Sequence, residues 1–246
     1  MPSYSVLGFN DGDELDSLVA LESDYKGKIN DALLAQLFFL FGEPVDIADR
    51  YDFQREVLEK FDSSAEQLKE VLADAILAYT LLGASHAAGL IGELIPGFSY
   101  EEQKGELQSW ANKRALESFG LVQKTSRKRL EVALAAFVAG TYTIEYLINQ
   151  YKSVAADLER ASLINETESI TAFNMGILIV ARALSFVVAV KHITVGDDRV
   201  CSICKPKHGM VYPINAAPTL PLHYNCRCRY ALVVDRRKIL RDYLGF

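Results

Sequence analysis

Apolar positions cluster along the chain with helical spacing for most of its length. Asn30 to Phe41 (NDALLAQLFFLF) opens on a capping-type Asn-Asp pair and is then almost wholly apolar. This predicts one buried helix, ended by Gly42 and Pro44. Asp46 to Phe61 sets Ile47, Tyr51, Val57, Leu58 and Phe61 among many acids and reads as an amphipathic helix. Ser63-Ser-Ala-Glu66 has the form of a capping box. Leu68, Val71, Leu72, Ala75, Ile76 and Tyr79 follow it at helical spacing. From Ala75 to Gly92 no residue carries a formal charge, a run of 18 that reaches the length of a membrane span. Acids flank the run and three glycines lie inside it, so a buried core helix packed through small residues is expected, and no membrane span. Pro96-Gly97 should end it.

Tyr100 to Phe119 predicts an amphipathic helix with Leu107, Trp110, Ala111 and Leu116 inward, and Gly120 predicts a break. Val132 to Leu147 reads as an Ala-rich apolar helix. A further helix is expected through Thr167 and Glu168 to about Val190, with Arg182 as its one charge after Glu168. If buried, that arginine requires an acidic partner. Ile193 to Arg199 predicts a short strand and turn. Arg229 to Asp235 (RYALVVD) predicts a strand that could pair with Val211-Tyr212. The fold class is therefore α+β and mainly helical, with a small C-terminal β-hairpin and loop module. The organisation expected is an acidic N-terminal arm over 1–29, a helical region over 30–119, a C-terminal domain over 120–235, and a basic tail over 236–246 that forms a short docking helix.

Composition adds little beyond an ordinary globular balance: half of the 246 residues are hydrophobic and 24% are charged. Charge distribution adds more. Residues 1–62 carry a net charge of −9 and residues 191–246 one of +6. A basic end on an acidic chain suits contact with nucleic acid or an acidic partner, and equally suits a solvated surface. Two basic stretches are candidate phosphate contacts: Lys124, Arg127, Lys128 and Arg129, and Arg236, Arg237 and Lys238. The first residues lack the basic and apolar regions of a secretory signal.

All four cysteines fall within the 34 residues from Asp197 to Tyr230. Cys201 and Cys204 form C-x2-C, Cys226 and Cys228 form C-x-C, and His223 lies three residues before Cys226. A tight C-x2-C turn can aim two thiolates at one metal ion. Five candidates thus exist for the four places around a structural Zn2+. Either the four cysteines bind, or Cys201, Cys204 and His223 bind with one of Cys226 and Cys228. Alternate residues of a strand face opposite ways, so Cys226 and Cys228 can both bind only if the backbone turns there. Disulfides or free buried thiols are the competing uses of these cysteines. A catalytic zinc would require an open place and a nearby base. The deaminase and H-E-x-x-H patterns are absent, so a closed structural site is expected.

Asp198-Arg-Val-Cys-x-x-Cys, then Gly209, a short apolar run, a proline-rich loop and His223-x-x-Cys-Arg227-Cys resembles the phage Mu F-like family, also called the phage head morphogenesis or minor head protein domain. Upstream, Asn165-Glu-Thr167-Glu168, followed by Ala172, Asn174 and Gly176, resembles the helical Thr-Glu motif of that family. The resemblance covers about residues 120–234, roughly half of the chain. It implies a structural motif of Thr167, Glu168, Asp198, Gly209 and Arg227 beside the cysteines. One position departs: His192 stands where a large aromatic is expected.

The resemblance further implies a non-enzymatic minor capsid protein of a tailed bacteriophage, acting in assembly inside the head near the portal. Its partners would be the portal, coat or scaffold protein, and packaged DNA. Its location would be the virion interior, and the host cytoplasm during assembly. The alternative is a zinc-supported nucleic-acid-binding protein or nuclease. A nuclease would require a His or carboxylate cluster, for which Asp197, Asp198, His192 and His208 are only scattered candidates.

Overall fold

The structure is a computed structural model describing residues 4–7, 13–42, 49–155, 158–194 and 200–243, with the side chains of 13–15 and 154–155 excepted. Its elements run β1 (Tyr4–Leu7), α1 (Asp13–Phe41), α2 (Arg50–Ser63), α3 (Glu66–Gly92), α4 (Lys104–Val138), α5 (Ile144–Ala155), α6 (Leu158–Arg182), β2 (Val187–Ile193), β3 (Val211–Pro213), β4 (Arg229–Asp235) and α7 (Arg236–Tyr243). The fold is mainly helical with one small antiparallel sheet, as the pattern predicts. The chain divides into two compact units. One holds Met1–Leu21, Ile76–Ala111 and Glu166–Phe246; the other holds Glu22–Ala75 and Asn112–Asn165.

Among the described residues the second unit holds helices and no strand. Asp49 caps α2 by accepting from the Tyr51 and Asp52 amides. Phe53, Val57 and Phe61 of α2 pack with Leu37 and Leu40 of α1, Leu130, Leu134 and Phe137 of α4, and Leu147 and Tyr151 of α5. A second cluster joins Ile29 and Leu33 to Leu68, Leu72, Val122 and Ala161. Arg50 donates to the Phe137 carbonyl at 2.7 Å and lies over the Phe137 ring.

In the first unit the sheet order is β1-β4-β2-β3. β4 is an inner strand, paired with β1 on one side and β2 on the other, and its residues are buried through Val234. α3 and α6 approach so closely that a Cβ on Gly83 would overlap the Phe173 carbonyl, and one on Gly176 would overlap the Thr80 carbonyl. α3 is long and apolar enough to cross a membrane by length and composition, yet 56% of its apolar window is buried in the fold.

The structure corrects several expectations. Residues 1–29 do not form an arm among the described residues. Tyr4–Leu7 is an edge strand in register with Leu232–Asp235, and α1 begins at Asp13 instead of Asn30. That pairing joins residues more than 220 positions apart, which local pattern does not encode. Ser63 does not cap α3: it ends α2, and its hydroxyl donates to the Lys60 carbonyl. Gly120 lies inside α4, where a single glycine costs only about 1 kcal/mol against burial of its neighbours Ser118 and Val122. The chain turns instead at Gly140 (φ 77°), so Val132–Leu147 is not one helix. Thr143 then caps α5 by accepting from the Tyr146 amide.

α6 stops at Arg182 and not near Val190. The β-branched residues beyond it form β2, buried between β4 and β3. Arg182 is exposed at the helix C-terminus, where a cation suits the helix dipole and no buried partner is required. β4 pairs with β2 and β1, and Val211–Pro213 pairs with β2, so the expected β3–β4 pairing does not form. Arg236–Tyr243 of the tail forms the expected short helix. Ile239 is buried, Lys238 donates to the Ser185 carbonyl, and Tyr243 meets Phe186 edge-on.

Candidate metal centre

Two short turns bring the cysteines and His223 together. At the first, the Cys204 and Lys205 amides both donate to the Cys201 carbonyl, and the Cys204 amide also reaches Cys201 Sγ at 3.3 Å. This fold-back is what the two-residue gap permits. At the second, Asn225 adopts φ 59°, a left-handed conformation that asparagine tolerates better than most residues. The Cys226 amide can then donate back to the His223 carbonyl at 3.2 Å. Cys228 precedes β4, so strand alternation does not separate it from Cys226, and both thiols are buried.

His223 Nε2 lies 2.9 Å from Cys201 Sγ and 3.2 Å from Cys204 Sγ, and Cys204 Sγ lies 3.6 Å from Cys226 Sγ. Two ligand triplets result, Cys201–Cys204–His223 and Cys204–Cys226–Cys228, which share Cys204. The sulfur–sulfur distance is close to the roughly 3.8 Å edge of a tetrahedron with ~2.3 Å zinc–sulfur bonds. His223 Nδ1 is 2.7 Å from the Tyr224 carbonyl. Donation there leaves Nε2 with the lone pair a metal needs. The donor set therefore fits a soft divalent ion, and the cluster could hold one.

Protonation is uneven across the cluster. A hydrogen bond from Cys228, outweighing burial, brings Cys226 down to about 5. Burial pushes Cys204 up to about 12. The Cys226 partner, followed by burial, pushes Cys228 far up. Burial opposes ionisation of Cys201, but hydrogen bonds from the Cys204 and Ile203 amides and the Cys204 thiol pull it below the usual thiol value. The Tyr224 carbonyl raises His223. Cys226 is thus the ready thiolate, and metal binding would release protons from its neighbours.

Residues 122–231 match the family model described as Phage Mu protein F like protein. That stretch of the chain is similar to the Mu F-like family. No curated protein and no solved structure matches the chain. The family points to phage head morphogenesis, a structural role in the virion.

Within the matched residues, Thr167 and Glu168 lie on α6, and Glu168 is buried. Asp198, with Asp197 and Arg199, lies outside the described residues. Gly209 has φ 80° and its amide donates to the His192 carbonyl, so the turn before β3 calls for glycine. Arg227 is half-buried between the two cysteines. Of the candidate phosphate contacts, Lys124, Lys128 and Arg129 are exposed on α4, whereas Arg127 is paired with Asp62 and Glu131. Arg236 donates to Ser5 and Lys238 to the Ser185 carbonyl; Arg237 starts α7 on the Asp235 carboxylate through its amide.

Asn174 plays a part in the centre that spacing does not reveal. Its Nδ2 donates to the Ile170 carbonyl at 2.9 Å and the Cys228 carbonyl at 3.1 Å, and its Oδ1 accepts from the Tyr230 amide at 3.1 Å. This buried side chain ties α6 to the point where the cysteine loop becomes β4. Asn174→Ala would leave a buried carbonyl and a buried amide unpaired. It should cost about 2–4 kcal/mol, read as a lower urea midpoint at unchanged slope. A change below about 0.5 kcal/mol would show that the clamp is not needed.

His86, stacked on Phe173 in the same unit, is held neutral: burial, helped by the Arg229 charge, lowers it to about 4. The unfolded chain protonates this histidine near 6.5. Its contribution is therefore complete above pH 6.5 and is lost as pH falls toward 4, by at most about 3 kcal/mol. Urea midpoints should drop more steeply over this interval for the wild type than for His86→Phe. Parallel pH profiles would refute the assignment.

Proposed function

We propose that the chain is a minor head protein of a tailed bacteriophage, a non-enzymatic assembly component of the head interior near the portal. The observation that carries this reading is the family match, whose span takes in the whole cysteine centre and its α6 clamp. The centre is closed. Its thiols are mostly buried, and the donors converge on one another with no carboxylate among the described residues of the cluster. Such a site suits a structural ion, which we take to be Zn2+ held by Cys201, Cys204, His223 and Cys226. Cys228 then acts as a hydrogen-bonding neighbour of Cys226. The ion stiffens a loop-rich segment that buries little apolar surface of its own: Ile203, Met210, Val211 and Tyr224 are all exposed.

Packaged DNA is a further partner in this reading. Lys124 and Lys128, one helical turn apart on α4, form its exposed basic strip with Arg129. The test is co-expression of the full chain with the portal, scaffold and coat proteins of its own phage. The chain should sediment with heads or portal complexes in few copies and carry about one zinc. A chain absent from heads and from portal complexes alike would overturn the assembly role.

A further inference from the structure

The four cysteines are free thiols, and their exposure differs. Cys204, Cys226 and Cys228 are buried, whereas Cys201 is half-buried, so a small solute meets Cys201 first. Cys204 stands between the two turns. Its Sγ lies within 4.8 Å of Cys201 Sγ on its own turn and 3.6 Å from Cys226 Sγ on the other. A disulfide requires the second pair to close to about 2.05 Å, a movement of roughly 1.5 Å.

Cys226 can make that movement more readily than Cys228. Cys226 sits in a turn closed by a local bond, its amide to the His223 carbonyl at 3.2 Å. Cys228 is pinned at the start of β4, where its carbonyl accepts from Asn174 Nδ2 at 3.1 Å. Chain length favours the same pair. Bridges within C-x2-C or C-x-C would close very short loops, whereas Cys204–Cys226 encloses Lys205 to Asn225. The constraint a disulfide places on the unfolded chain grows with the loop it closes. At Cys201, Sγ accepts from the Cys204 amide at 3.3 Å. An N–H aimed at this sulfur favours its departure as a thiolate.

We infer that Cys204 and Cys226 form an oxidative modification site, with Cys201 as the point where a peroxide attacks and from which the bridge is passed inward. The Cys201 thiolate attacks hydrogen peroxide: the O–O bond breaks, the sulfur is oxidised to the sulfenic acid, and hydroxide leaves. The Cys204 thiolate attacks that sulfur, which forms the Cys201–Cys204 bridge and releases a second hydroxide. The Cys226 thiolate then attacks Cys204 Sγ, which forms Cys204–Cys226 and expels Cys201 as a thiolate. In sum, two thiolates and one peroxide give one disulfide and two hydroxides. The oxidised chain thereby joins its two turns by a covalent bond.

The test uses the full chain, stripped of metal by chelator and then of reductant. It is treated at about pH 8 with about one equivalent of hydrogen peroxide, alkylated, digested and mapped by mass spectrometry. Wild type should lose two of its four alkylatable thiols and give Cys204–Cys226 as the main bridge. Cys226→Ser should stop at Cys201–Cys204, and Cys201→Ser should form Cys204–Cys226 several-fold more slowly. Cys228→Ser should give the wild-type product. A main bridge through Cys228, or sulfinic and sulfonic acids without a bridge, would overturn the inference. So would a Cys201→Ser chain that reacts as fast as wild type, or the same bridge pattern in urea-unfolded wild type, since the folded geometry would then select nothing. The chain is metal-free throughout, so the outcome is independent of the proposed zinc site, whose own failure would show in metal content instead.

Discussion

Gly176→Ala should destabilise the protein by about 3 kcal/mol or more, at the upper end of what overpacking costs. The added methyl would overlap the Thr80 carbonyl oxygen and stand 2.8 Å from the Ala84 nitrogen. Both are backbone atoms of α3, and no rotamer change can move them aside. One helix would have to shift, and α6 cannot shift freely because Asn174, half a turn away, holds the start of β4. Gly83→Ala should act in the same way against the Phe173 carbonyl, and the two effects should not add, since either one separates the same pair of helices. Gly89→Ala is the control. It lies in the same helix with no atom within 4 Å of the added carbon, and it should be neutral or stabilising by up to about 1 kcal/mol. Urea denaturation of the three variants decides the matter. A Gly176→Ala chain within 1 kcal/mol of wild type would mean that the helices are not in backbone contact.

Cys204→Ala should abolish metal binding altogether. Among the described residues Cys204 is the one shared by the two ligand triplets, so every four-ligand set they allow includes it. Zinc content should fall from about one per chain to none, and the stabilisation that zinc contributes should disappear with it. Two companions then choose between the ligand sets. Cys228→Ala should retain zinc if His223 is the fourth ligand, as its 2.9 and 3.2 Å approaches to two sulfurs favour. His223→Ala should retain it if the four cysteines bind. A Cys204→Ala chain that still carries stoichiometric zinc would place the ion elsewhere and remove the basis for the centre described above.

The cysteine motif was legible in the sequence because its chemistry is local. C-x2-C closes into a turn by itself, and His223-Tyr-Asn-Cys226 closes through one left-handed asparagine. The long apolar runs declared their helices for a similar reason: burial of one stripe repeats every 3.6 residues whatever the neighbour is. Periodicity failed where a strand is buried on both faces. Val187 to Val190 continues the apolar character of α6, and nothing within that stretch separates a helix from an inner strand. It also failed at Gly120, where a residue that often ends helices is carried along by the packing of its neighbours.

The sequence by itself determined that the chain is mainly helical, that one C-terminal cluster of thiols and imidazole can form, and that this region resembles a head morphogenesis domain. These follow from residue type and short spacing. Tertiary structure decided that Tyr4–Leu7 is a sheet edge, that β2 separates β3 from β4, and that Gly83 and Gly176 mark a close helix crossing. It also decided that Asn174 clamps the cysteine module from outside the cysteine motif. Each of these depends on contacts between residues far apart in the chain. Their free energy belongs to the pair, and neither partner's local sequence carries it.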